Sequence, residues 1–144
     1  MNDVKLQANA AATLQRWHGL IDQMDMTTLQ DLLHADVVFR SPMAHSPYPG
    51  AAVVATILGT VVQVFEGFTY HRQLASADGL NVVLEVSATV KGKQLKGIDL
   101  IRFDEQGKIV DFEVMVRPMS GLQALGEEMG RRLAPYLAAA KGQG

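Results

Sequence analysis

Two carboxylates, Asp99 and Glu113, are the residues of this sequence whose placement points most directly to chemistry. They lie in two stretches of period-two alternation, Gln94 to Phe103 and Lys108 to Arg117, joined by Asp104-Glu105-Gln106-Gly107. A three-residue loop at Glu105-Gln106-Gly107 sets Asp104 opposite Lys108 and Asp99 opposite Glu113. Like charges opposed across a sheet are destabilising. Enclosed together, one of the two titrates high and the pair shares a proton. That is how a site keeps a general acid and a general base near neutral pH. The alternative is that one carboxylate points to solvent at the sheet rim or pairs with an arginine.

The same counting extends to the earlier turns. Asp78-Gly79 and Lys91-Gly92 read as two-residue hairpin loops between Phe68 to Ala77, Leu80 to Val90 and Gln94 to Phe103. His71 then faces Val86, Val86 faces Gly97, and Leu84 faces Asp99. His71 falls on the face of Asp99, roughly 10 to 12 Å away across two strands, where it could serve as base or donor. Leu84, Val86, Met115 and Asp99 share that face, with Arg117 two residues past Met115. The opposite face carries Tyr70, Arg72, Glu85, Ile98, Leu100, Phe112, Val114 and Val116, with Arg72 opposite Glu85, a favourable cross-strand pair. Both faces are apolar, whereas a sheet with one wet face alternates cleanly. One face is therefore expected against the chain's own helices. The other, through Ile98, Leu100, Phe112 and Val114, is expected against a second copy in a homodimer.

The elements that must hold these strands come first in the chain. Leu6, Ala10, Leu14, Trp17, Ile21 and Met24 recur at steps of three and four, one face of a helix, with Asn2 and Asp3 as candidate caps. Thr27 or Thr28 can cap a short second helix through Leu33, and Asp36 to Arg40 reads as a strand. Pro42, Pro47, Pro49 and Gly50 make the next segment a loop, which brings His45 and Tyr48 to where they could cover a pocket. Ala51 to Phe65 is a buried helix, and Gly121 to Ala140 a final helix weakened by Gly126, Gly130 and Pro135. The order predicts one α+β domain over 1–140, an antiparallel sheet with helices on one face, and a frayed tail at 141–144.

Composition narrows the chemistry. The chain has 144 residues, a formal net charge of -2, 48% hydrophobic residues and no cysteine. There is no basic footprint for nucleic acid and no thiol for catalysis or metal binding. His18, His34, His45 and His71 have no metal-ligand spacing, and no phosphate loop or dinucleotide fingerprint occurs. The most apolar stretch, Gly50 to Phe65, is too short and polar to span a bilayer. With no signal-peptide pattern in Met1 to Gln15, the expected setting is cytoplasmic.

The run from Gly97 through Asp99 and Gly107 to Ile109, with Trp17 in the first helix and Ser41-Pro42 after the first strand, is similar to the SnoaL-like branch of the nuclear transport factor 2-like superfamily. The likeness covers nearly the whole chain. It implies a curved sheet wrapped around helices as a cone, with a pocket in its mouth, often in a homodimer. Relatives include polyketide cyclases, ketosteroid isomerases and limonene epoxide hydrolases. By resemblance Asp99 matches a catalytic aspartate, and Glu113 the facing acidic position of the epoxide hydrolases. Those hydrolases carry an arginine two residues before the aspartate, where this chain has Gly97; Arg117 or Arg40 would have to substitute. The isomerases hold an oxyanion with a first-helix tyrosine, where this chain has Trp17.

The sequence thus predicts a pocket for a small apolar molecule, without metal or organic cofactor. Asp99, Glu113 and His71 are the catalytic candidates, and Trp17, Tyr48, Leu84, Val86, Met115 and Arg117 line the pocket. The expected chemistry is isomerisation, cyclisation or epoxide opening. The alternatives are a non-catalytic binding protein and a dimerising accessory domain.

Overall fold

The computed structural model describes residues 5–142, with side chains as far as residue 136. The apolar stripe near the start becomes α1, Ala8–Gln23, which buries Ala10, Leu14 and Trp17. The caps expected at Asn2 and Asp3 lie outside the described residues. Gln7 stands at the N-cap without a side-chain bond, and Met24 closes the other end in the left-handed region. A 3-10 turn, Leu29–Leu32, leads into β1, Leu33–Arg40. The proline-rich loop contains a short strand, β2, Tyr48–Pro49. Next comes α2, Ala51–Val64, buried along Val54, Ile57 and Leu58. The meander follows as β3, Glu66–Ala75, β4, Asn81–Val90, β5, Lys93–Phe103, and β6, Ile109–Arg117. The last element is α3, Met119–Gly142, which runs through both glycines and Pro135. Fraying was expected from Lys141; Lys141 and Gly142 are still helical, and residues 143–144 lie outside the described residues.

The sheet is six-stranded, curved and unclosed, in the order β2-β1-β6-β5-β4-β3. It departs from the expected all-antiparallel arrangement at one place: β1 runs parallel to β6. Parallel neighbours need a long connection, and α2 with the meander supplies it. The α+β class and the cone otherwise follow expectation. Leu29, Leu32, Leu84, Ile101 and Phe103 are fully buried between the concave face and the helices.

Strand register decides which side chains reach that concave face. Between β4 and β5 the pairing is unbroken and as predicted, with Val86 opposite Gly97 and Leu84 opposite Asp99. The other two hairpins agree with prediction only near their turns. In β6 a bulge shifts the pairing by one residue beyond Phe103 and Ile109, so Asp99 faces Val114 and Glu113 faces Leu100. In β3 a bulge between Tyr70 and Gln73 does the same. Gln73 still faces Leu84, but Tyr70, not His71, faces Val86. A bulge adds one residue to one strand and reverses the facing of everything beyond it.

Four corrections follow. Glu113 is on the convex face, not beside Asp99. His71 is on the convex face and exposed, bonded to Ser87 Oγ at 2.8 Å. Phe112 is core, packed against Trp17 with ring centroids 5.2 Å apart and planes tilted by 57°, and Val114 faces the interior. Of the residues expected to form a subunit interface, only Ile98 and Leu100 stand on the convex side. The expected Arg72–Glu85 pair does form there, at 2.8 Å, with Lys96 at 3.1 Å from the same carboxylate.

Candidate active site

The concave sheet face, α1, α2 and α3 enclose a cavity of about 530 Å³, a size suited to small-molecule ligands. Its walls are apolar for most of their extent: Ile57, Leu58 and Val61 from α2, Phe112, Val114 and Val116 from β6, Leu125 and Met129 from α3. The polar side chains that reach it are Asp22, Ser41, Tyr48, Tyr70 and Asp99. No lysine, arginine or histidine lines it among the described residues. A ligand carboxylate or phosphate would therefore enter without a counter-charge, which is costly in an apolar site. A neutral ligand fits.

Asp99 is the group this cavity perturbs most. Its strand pairs it with Leu84 on one side and Val114 on the other. Burial away from water disfavours its charged form and raises its pKa from 3.8 to about 7. No protein hydrogen bond to its carboxyl forms among the described residues. No fully enclosed side-chain polar atom is left unpaired there either, so its oxygens are open to the cavity it lines.

Tyr70 is the second polar group, and sequence reasoning placed it on the wrong face. The indole Nε1–H of Trp17 donates to the Tyr70 phenol oxygen at 3.2 Å. His18 packs edge-on against the phenol ring, centroids 4.7 Å apart, and is held in turn by Gln73 Oε1 at 3.0 Å. Burial, and next the charge on Asp99, raise the phenol pKa above its ordinary value, so it stays protonated. Its oxygen already accepts a bond from Trp17, and no described residue accepts its proton. The O–H is free to donate to a ligand. A tryptophan of the first helix thus orients a tyrosine from the sheet.

The other expected residues divide. Trp17, Tyr48 and Val86 line the cavity, whereas Leu84 is core beneath it. Met115 and Arg117 are exposed on the convex side. Arg40 is paired with Asp111 at 3.1 Å, so neither candidate arginine stands beside Asp99. Gly97 admits no replacement in place, because a Cβ there would run into the Met115 carbonyl oxygen. His45 is exposed in its loop.

A family model described as the SnoaL-like domain matches residues 14–112. No curated protein matches the sequence. A crystal structure of a steroid delta-isomerase from Pseudomonas aeruginosa is 71% identical, with a TM-score of 0.91 over 94% of this chain and 99% of that one. An uncharacterised protein with a cystatin-like fold from Silicibacter pomeroyi is 33% identical, with a TM-score of 0.80 over 90% and 92% of the two chains. A nuclear transport factor 2-like protein of unknown function from Mesorhizobium loti is similar in fold alone, at 14% identity and a TM-score of 0.67, over 82% and 97%.

Proposed function

The chain belongs to the SnoaL-like domain family of the nuclear transport factor 2-like superfamily, and on that premise we propose that it is a cofactor-free isomerase of a neutral, apolar ketone. The reading rests on one observation. Asp99, the buried carboxyl of the cavity wall, is raised to about 7 and faces a largely apolar cavity beside a phenol whose O–H is free to donate, while the other carboxyl at the wall, Asp22, is exposed.

One carboxyl is enough for an isomerisation, because the proton removed is also returned. The Asp99 carboxylate takes a proton from the carbon between a ketone and a β,γ double bond. The C–H electron pair shifts into an enolate, whose oxygen accepts a hydrogen bond from Tyr70. Asp99 then gives the same proton back at the γ carbon, leaving the conjugated enone. A base titrating near the working pH is well matched to both transfers. Epoxide opening needs more: an acid for the leaving oxygen, a base for water, and in the resembling hydrolases an arginine. Glu113 is on the far face and Gly97 stands at the arginine's position, so the isomerase reading is the better supported.

The neighbour described as a steroid delta-isomerase makes a β,γ-unsaturated 3-ketosteroid the first compound to try. The test follows conjugated-enone absorbance across pH 5 to 9 for the wild type and Asp99→Asn. The expected result is a rate that rises through pH 7 and a loss of about 10²–10⁴-fold in the variant. Turnover that survives Asp99→Asn, or that falls as pH rises through 7, sinks the mechanism. Tight binding without turnover would support the binding-protein alternative instead.

A further inference from the structure

The boundary between the cavity and water is made of side chains that can move and of side chains that are missing. Met24, closing α1, and Met43, in the proline-rich loop, both line the cavity, yet they are 57% and 54% exposed. Across from Met43 runs the face of α3 that carries Gly126 and Gly130. A Cβ at Gly126 would overlap the Met43 thioether, with the sulfur 2.8 Å away. In this rotamer the Met43 thioether occupies the space beside α3 where a side chain at position 126 would begin. One turn on, a Cβ at Gly130 would meet nothing within 4 Å, so no described residue fills the space there. The Met43 backbone is pinned, its N–H donating to Ser41 Oγ at 3.0 Å, while its unbranched side chain changes rotamer at little cost. The α3 side of this opening lies beyond the segment matched by the family model, which ends at residue 112.

We infer that ligands enter and leave between Met43 and the Gly126–Gly130 face of α3, with the Met43 side chain as the gate. The inference rests on the cavity being a ligand site, and its test reads binding alone. The probe is N-phenyl-1-naphthylamine, a neutral apolar fluorophore, followed by stopped-flow energy transfer from Trp17, the single tryptophan, which lines the cavity. Met43→Ala is expected to raise both the association and dissociation rates at least threefold, with the Kd moving less than either. Gly130→Leu, which improves helix propensity and places a side chain in the opening, is expected to lower both rates. Thermal unfolding checks that each variant is folded. Rates unchanged in both variants overturn the gate. So does a change confined to dissociation in Met43→Ala, which would make Met43 a wall contact, and so does a wild type that does not bind the probe. Failure of the isomerase reading looks different: no turnover, with these rate changes intact.

Discussion

The indole N–H of Trp17 donates to the phenol oxygen of Tyr70 across 3.2 Å, tying the first helix to the third strand at the wall of the cavity. Indole is a donor only, so the direction of this bond is fixed and the Tyr70 proton must point elsewhere. Tyr70→Phe removes that proton and strands the Trp17 N–H. A lost oxyanion donor costs about 10²–10³-fold in kcat, and a stranded donor about 1–3 kcal/mol of stability. Trp17→Phe keeps the ring and the phenol but frees the phenol to turn. It should lower kcat about tenfold at little change in KM, the mark of lost orientation rather than lost contact. Steady-state kinetics on both variants, with urea unfolding alongside, decide it. Equal kcat in Tyr70→Phe and wild type would remove Tyr70 from the mechanism.

How far the sequence could be read turns on the two bulges. Between β4 and β5 no residue is inserted, and counting from Lys91-Gly92 placed Leu84 against Asp99 as found. In β3 and β6 one extra residue each exchanged Tyr70 for His71 and Val114 for Glu113. The turn type does not report an insertion several residues along the strand, so hairpin counting had no access to it. In β6 another signal was present. Val110, Phe112, Val114 and Val116 alternate with Asp111, Glu113, Met115 and Arg117, an inside-outside pattern, interrupted by Met115, that contradicted the count. Side-chain alternation is set by burial along the strand itself and survives a bulge nearer the turn. Helix positions were legible because the stripe through Ala10, Leu14 and Trp17 depends only on local periodicity. The Met43 contact with α3 joins residues far apart in the chain and left no local trace.

Asp99 should make the protein less stable as pH rises. Unfolded, its carboxyl titrates at the ordinary 3.8; folded, burial moves it to about 7. Below 3.8 both states hold the proton and folding is not penalised. Between 3.8 and 7 the unfolded chain ionises first, and stability from this group is lost until the folded carboxyl also ionises. The gap corresponds to on the order of 4 kcal/mol at alkaline pH. Asp99→Asn cannot ionise, so it should exceed the wild type in stability at pH 8 and match it near pH 4. Urea unfolding at pH 4, 6 and 8 measures this. A difference that does not change with pH would mean that Asp99 is not buried as described.

Glu113 and His71 are on the convex face, away from the cavity. Glu113→Gln and His71→Ala should each keep kcat/KM within about twofold of wild type, the range of surface substitutions away from special features. A tenfold loss in Glu113→Gln at unchanged stability would restore the opposed-carboxylate site and return the epoxide-hydrolase reading to favour.

Glu128 should show the opposite pH dependence from Asp99. It is 5% exposed on α3, with Arg131 at 2.5 Å, Arg132 at 2.6 Å and Lys91 of the β4–β5 turn at 3.3 Å. Hydrogen bonds from Arg131 and then Arg132 lower its pKa from 4.5 to about 2. A depressed carboxyl adds stability above its unfolded value and loses it as pH falls toward the folded one. Glu128→Gln should therefore melt at a lower temperature than wild type at pH 7, with the difference closing between pH 4.5 and 2. The Lys91 bond ties α3 to the sheet, and α3 carries Leu125, Met129 and Leu133 into the cavity wall. Loosening that tie should also weaken binding of an apolar probe at pH 7. If the melting temperature falls while probe affinity holds, α3 keeps its place without the ion cluster, and the apolar contacts of Leu125 and Leu133 are what position the wall.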